Sequence, residues 1–312
     1  MNTGQAVYEP RKKVRPGTKL LLGAASLLIL AALGVLGISS YVGWNLTHPA
    51  RQPLDSTPQS LAMSYEDVSF PSRIDGLALK GWLIRAPGSR DTIVFAHGYR
   101  KNRLNSDVPI LPIARELNAR GYNILMFDFR NSGESEGSLT SVGQYEVRDL
   151  LGAVDFIKSQ PDLNRQIVLY GFSMGASTAI MAGARDLDVA AVIADSPFAD
   201  LRSYLYENLS VWSELPSIPF NQAFFIVVPP LTGLQPNAVS PVEEVKNFAG
   251  RPLLLIHGLA DADVPVENSR ALQQAYPEAR LLTVPGGLHV KNYEADPGLY
   301  IQSVTAFLSE IK

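Results

Sequence analysis

The 312-residue sequence contains no cysteine. Disulfides, thiol nucleophiles and cysteine-ligated metals are therefore excluded. Histidine is nearly as scarce, with His48, His97, His257 and His289 the only four. Any chemistry that needs an imidazole base must use one of them. Charge is sparse too, at 18% of residues and a net −3. No dense basic patch follows residue 20, which argues against a nucleic-acid partner. Internal repeats and long low-complexity tracts are also missing. What is abundant is apolar side chain, 46% of the whole, enough for one large core.

Charge is missing altogether from residues 20–42. At about 1.5 Å per residue this run spans a hydrocarbon core of ~30 Å, so it reads as a transmembrane helix. Tyr41 and Trp44 stand at its far end, where aromatic rings favour the membrane interface. Residues 1–19 form a basic tail with Arg11, Lys12, Lys13, Arg15 and Lys19 against the single acid Glu9. That asymmetry predicts a cytoplasmic N-terminus, with the rest of the chain extracytoplasmic. A cleaved signal peptide is the rival reading, but its apolar region would span only ~7–15 residues. Residues 43–63, with Pro49, Pro53 and Pro58, read as a stalk that leaves His48 in solvent.

Residues 64–312 read as one folded domain. Residues 65–70 and 77–84 alternate at period two around Asp75-Gly76, a hairpin signal. Short apolar runs at 92–96, 122–127, 166–170, 189–194, 252–256 and 280–284 then alternate with helical patterns at 108–120, 144–159, 174–186, 265–275 and 297–311. This alternation predicts an α/β fold, a mostly parallel sheet with helices on both faces. Residues 196–250 break it with a segment rich in aromatics and prolines. Leaving from a strand's C-terminal end, that insertion reads as a lid over a ligand site.

Residues 167–177 join an apolar strand, Gly171-Phe172-Ser173-Met174-Gly175, and a run of small, helix-forming residues. Strand, sharp turn and helix around Gly-x-Ser-x-Gly present the serine hydroxyl clear of the sheet. The turn also puts the Met174 N–H at a helix start, where it can face a developing negative charge. Gly133-Glu134-Ser135-Glu136-Gly137 matches the same pattern but not its context. Its two glutamates would oppose an oxyanion, and no helix pattern follows. Ser135 is read as a loop residue.

A serine needs a base within hydrogen-bond reach and a group to orient that base. His97 and His257 each end a strand and precede a glycine, the position of a packed turn residue. His289, in a loop after the last strand, is the candidate base. Asp261 and Asp263 both follow the strand at 252–256, and the residues alone leave either as the acid. Asp186, Asp188 and Asp195 are earlier alternatives.

This order of motifs resembles the α/β-hydrolase family of serine hydrolases, over roughly residues 65–311. His97-Gly98-Tyr99, the stretch from Asp128 to Gly137, Gly171 to Gly175, Asp195-Ser196-Pro197, His257 to Pro265 and Gly287-Leu288-His289 carry the resemblance, which is greatest to the single-domain esterase and peptidase-like branch. It implies Ser173, Asp261 and His289 as the catalytic triad, with Asp263 on a variable position. It also implies backbone N–H groups of Tyr99 and Met174 as the oxyanion hole. The expected activity is a carboxylesterase acting on a small-molecule ester of apolar acyl or aryl character, with no metal or organic cofactor. The alternatives are a serine peptidase and a non-catalytic, membrane-tethered binding module. The membrane would be engaged through residues 20–42.

Overall fold

The apolar runs become one eight-stranded sheet in a computed structural model that describes residues 16–311. Its strands are β1 (Glu66–Pro71), β2 (Ala78–Ile84), β3 (Asp91–Ala96), β4 (Asn123–Phe127), β5 (Gln166–Phe172), β6 (Val189–Asp195), β7 (Leu253–Gly258) and β8 (Arg280–Val284). They lie in the order β1-β2-β4-β3-β5-β6-β7-β8. The β1–β2 hairpin is antiparallel and meets β4 in antiparallel fashion; all later pairings are parallel. The central strands are buried along their length because helices cover both faces.

The helices are α1 (Pro16–Thr47), α2 (Ile110–Asn118), α3 (Glu146–Lys158), α4 (Met174–Arg185), α5 (Leu201–Ser213), α6 (Ser217–Thr232), α7 (Pro241–Glu244), α8 (Glu267–Ala275), α9 (Asn292–Ala295) and α10 (Pro297–Ser309). One core joins Leu125, Leu169 and Val192 of the sheet to Leu150 of α3 and Ile180 of α4. On the other face Ile93, Tyr170 and Ile193 pack with Leu117 of α2 and Val304 of α10. The parallel strands all point their C-terminal ends to one edge. Turns leading to Tyr99, Ser173, Asp195, Asp261 and His289 therefore gather there, at the position where open α/β sheets bind ligands.

The N-terminal part differs from the sequence reading. Arg11, Lys12, Lys13 and Arg15 of the expected tail 1–19 lie outside the described residues. The apolar helix does not stop at 42 but runs to Thr47. Its residues 17–34 are exposed, and its last turns pack against α6, where Gly43 meets Val228 so closely that an added Cβ would lie 2.1 Å from Cγ2. Nor do residues 48–63 behave as a free stalk. Asn102 Nδ2 donates to the carbonyls of Gln52 (3.2 Å) and Pro53 (2.9 Å), and Arg51 reaches the Gly137 carbonyl at 2.7 Å. Pro58 and Met63 are buried. His48, expected in solvent, stacks on Trp44 with centroids 3.8 Å apart. The prolines route this segment along the domain instead of holding it away.

Candidate active site

The turn after β5 forces Ser173 to φ 54°, ψ −119°, a conformation that non-glycine residues seldom adopt. One hydrogen bond and two close backbone approaches define the turn. The Ser173 N–H donates to the Asp195 carbonyl at 2.8 Å. A Cβ on Gly171 would lie 2.2 Å from the Gly175 oxygen, and a Cβ on Gly175 would lie 2.1 Å from the Ala96 oxygen. The two glycines of the motif are therefore set by backbone crowding, and the second lets α4 start against the end of β3.

Ser173, His289 and Asp261 come together from the ends of β5, β8 and β7. Ser173 Oγ lies 2.8 Å from His289 Nε2, and His289 Nδ1 lies 2.8 Å from Asp261 Oδ2. The other carboxylate oxygen accepts the N–H groups of Val264 (2.8 Å) and Asp263 (3.1 Å). Burial pushes the Asp261 carboxyl up, but hydrogen bonds from His257 and His289 outweigh it and hold it at about 2. Asp261 thus stays ionised at neutral pH, beside the ring it would orient. Asp263 is exposed and only its main chain is engaged, its N–H by Asp261 and its carbonyl by the Tyr204 hydroxyl at 3.1 Å.

The remaining candidates are occupied elsewhere. Ser135 is fully buried; its hydroxyl donates to the Asp128 carbonyl (2.6 Å) and accepts the Lys80 N–H (2.9 Å). His97 donates from Nδ1 to the Gly98 carbonyl at 2.8 Å and accepts the Phe129 N–H at Nε2 (3.0 Å). Burial lowers its affinity for a second proton. His257 is pinned between Ser269 Oγ and the Val264 carbonyl, both 2.7 Å away. Asp195 is buried among Asn292 (2.7 Å), Ser196 (2.9 Å) and Tyr300 (2.7 Å), and burial raises its carboxyl despite these bonds. Asp186 pairs with Arg73 and Asp188 with Lys158.

Gly98, just before Tyr99, lies beside Ser173: a Cβ on Gly98 would lie 3.7 Å from the serine Cβ. Met174 opens α4 on the other side. Among the described residues, neither the Tyr99 N–H, in the turn after β3, nor the Met174 N–H, at the start of α4, donates to an acceptor outside α4. The loop carrying Tyr99 is braced from below. Arg103 and Asp128, both buried, are joined by Nη2 to Oδ2 at 2.6 Å, and Asp128 Oδ1 accepts the Arg103 N–H at 2.7 Å. These motif residues support the loop and do not touch Ser173. Sequence reasoning did not find that role; two opposite charges in loops at the ends of neighbouring strands were the available signal.

Ser173 faces two chambers. One is narrow, about 50 Å³, and lined almost wholly by apolar side chains, among them Met174, Phe198, Tyr204, Leu205, Trp212 and Phe224. Its wall also includes Leu46 and Thr47 of α1, which the sequence reading assigned to the stalk. The Leu46 carbonyl accepts the Tyr99 hydroxyl, and the Thr47 carbonyl accepts the Thr140 N–H at 2.8 Å. The second chamber, about 370 Å³, carries the polar and charged side chains of Gln52, Arg100, Lys101, Asn105, Asp107 and Asp263 beside Trp212 and Val290. The insertion roofs the site. Trp212 Nε1 donates to the Tyr204 hydroxyl at 2.8 Å, and the Trp212 ring stands edge-on to Tyr99. Among the described residues, no group of three or more His, Asp or Glu side chains is arranged to hold a metal ion.

Comparison with known proteins identifies the fold and the family. Residues 83–218 match the model of the X-Pro dipeptidyl-peptidase (S15) family. The chain is 31% identical to the Bacillus subtilis protein YqkD over 239 residues, 76% of this chain and 77% of YqkD. It is 29% identical to Escherichia coli YfhR over 78% of this chain and 81% of that protein. The solved structure of the Pyrococcus furiosus esterase Pf2001 superposes with a TM-score of 0.72 at 29% identity, covering 85% of this chain and 98% of the esterase. The chain therefore belongs to the family of Bacillus subtilis YqkD and is an α/β hydrolase with a serine at its nucleophile elbow.

Proposed function

We propose that the chain is a carboxylesterase that works through an acyl-enzyme on Ser173. The observation that carries this reading is the Ser173–His289–Asp261 line, with 2.8 Å at both steps, opening on an apolar chamber. Ser173 Oγ attacks the ester carbonyl carbon as its proton passes to His289 Nε2. Charge gathers on the carbonyl oxygen, where the Tyr99 and Met174 N–H groups receive it. The carbon–oxygen bond to the alcohol then breaks, and His289 returns the proton to the leaving alkoxide. Water, deprotonated by His289, attacks the acyl-enzyme and releases the acid and free Ser173. Asp261 keeps the proton on His289 Nδ1 and stabilises the imidazolium.

One helix among the described residues, 17–47, is long and apolar enough to cross a membrane. We read it as an uncleaved anchor. The basic residues before it favour a cytoplasmic N-terminus and an extracytoplasmic catalytic domain.

The S15 match supports a second reading, a peptidase. An amide substrate with a free amine would find carboxylates only in the polar chamber, at Asp107 and Asp263. The apolar chamber lacks a charged side chain and favours an ester acyl group. Parallel assays with p-nitrophenyl esters and aminoacyl p-nitroanilides decide between the two. Ester turnover that vanishes in Ser173→Ala, with no anilide turnover, is expected. Turnover that survives Ser173→Ala would reject the proposed nucleophile.

A further inference from the structure

The end of the apolar helix α1 is part of the acyl chamber's wall, not a tether leading to it. Leu46 and Thr47 line the chamber, and the Leu46 carbonyl is bonded to Tyr99. One turn earlier, Gly43 is packed onto Val228 of α6. Residues 17–34 of the same helix project from the domain with apolar side chains exposed. The helix that would sit in a bilayer is thus continuous with the wall that would touch the acyl group.

The neighbouring surface carries the same character. Residues 215–242 hold no charged side chain. Within them α6 packs against α1 and leaves Ile218, Ile226 and Leu231 exposed; Tyr206 and Val211 of α5 are exposed as well, and the Arg202 guanidinium lies over Phe225. A patch of this kind marks an interaction surface. Its place beside α1 selects the occupant, because a bilayer around residues 17–34 would continue onto the outer side of α6. Phe224 of that helix reaches inward to the acyl chamber.

We infer that α6 and the end of α1 lie in the bilayer surface as a portal, and that the substrates are acyl esters resident in the membrane. This rests on Ser173 being the nucleophile of an ester hydrolase. The acyl chain enters from the bilayer between these elements. The polar alcohol portion lies in the second chamber with Gln52, Asn105 and Arg100. Hydrolysis consumes one water, breaks the acyl carbon–oxygen bond, leaves the fatty acid in the bilayer and frees the alcohol to water.

The test uses the full chain in phosphatidylcholine–phosphatidylglycerol vesicles with two fluorogenic esters of one alcohol, 4-methylumbelliferyl butyrate and 4-methylumbelliferyl oleate. Ile226→Glu and Leu231→Glu put charge on the outer side of α6 without touching either chamber. Each should lower oleate hydrolysis by about tenfold or more while butyrate hydrolysis stays within about twofold. Fluorophosphonate labelling of each variant in detergent reports whether its site has folded. A second measurement needs no variant. At fixed bulk oleate ester, diluting it with added phospholipid should slow the wild-type rate. Unchanged oleate-to-butyrate ratios in labelled variants, or a rate indifferent to dilution, would overturn the inference. So would a wild-type protein active on butyrate alone. A wild-type protein that neither labels nor cleaves either ester would instead reject the esterase reading beneath it.

Discussion

His289 Nδ1 stands 2.8 Å from Asp261 Oδ2, while Asp263, two residues along, is exposed and makes no bond to His289. The two carboxylates should therefore respond very differently to neutralisation. Asp261→Asn should lower kcat by about ten-thousand-fold, because the amide favours the wrong imidazole tautomer. Asp263→Asn should stay within about threefold of wild type, since only its main chain is engaged. Steady-state kinetics on one p-nitrophenyl ester measures both. The opposite ranking would move the acid to Asp263.

The same carboxylate should shape acid stability. Its pKa is held at about 2, below the ordinary 3.8, because hydrogen bonds from His257 and His289 outweigh the cost of burial. A depressed carboxyl stabilises the folded state above its unfolded pKa and loses that contribution as pH falls toward the folded value. Wild type should therefore lose Tm more steeply than Asp261→Asn between about pH 5 and pH 2. Parallel Tm profiles over that range would show that Asp261 contributes nothing to the pH dependence.

The two Gly-x-Ser-x-Gly matches should separate by labelling and by stability. Fluorophosphonate should label Ser173 and not Ser135, whose hydroxyl is buried between Asp128 and Lys80. Ser135→Ala should keep full labelling yet cost about 1–3 kcal/mol, since it leaves the Lys80 N–H and the Asp128 carbonyl without that partner. Gly175→Ala should cost about as much or more, because its Cβ would press on the Ala96 carbonyl, and labelling should fall with it. Peptide mapping and denaturant unfolding read both effects. An adduct on Ser135 would sink the elbow assignment.

Much of this was legible because parallel strands buried on both faces are nearly continuous apolar runs. The ends of β3, β5, β6 and β8 fall within two residues of the sequence reading. The turn at Ser173 and the loop position of His289 were legible for a related reason: one needs its flanking glycines, and the other was left after each rival histidine found a structural position. Asn45, Leu46 and Thr47 were not legible as a helix end. Asn and Thr are indifferent helix formers and Pro49 follows, so local signals favoured a stalk. What extends α1 is tertiary, the fit of Gly43 against Val228 and the capture of two carbonyls by Tyr99 and Thr140. The Arg103–Asp128 brace was hidden likewise, because its residues lie 25 positions apart.

The roof makes a prediction about chain length. Trp212 and Phe224 line the apolar chamber with Tyr204 and Leu205. Each buried methylene is worth up to ~0.8 kcal/mol, about fourfold in kcat/KM, until the chamber is full. In detergent solution, a p-nitrophenyl ester series should give an optimum at short to medium acyl length, given the narrow chamber. Trp212→Ala and Phe224→Ala should flatten that profile and leave Ser173 labelling intact. An unchanged profile in both variants would make the insertion mere packing.

The segment that follows His289 is fastened back to the middle of the sheet. The Val290 N–H reaches Ser196, Asn292 reaches Asp195, and the Tyr300 hydroxyl meets both Asp195 and Tyr170. During synthesis the serine leaves the ribosome more than a hundred residues ahead of the histidine. The loop that holds the histidine is tied in turn to α10, through Asp195 and Tyr300. The position of His289 is thus secured partly by contacts made more than a hundred residues beyond the Ser173 turn.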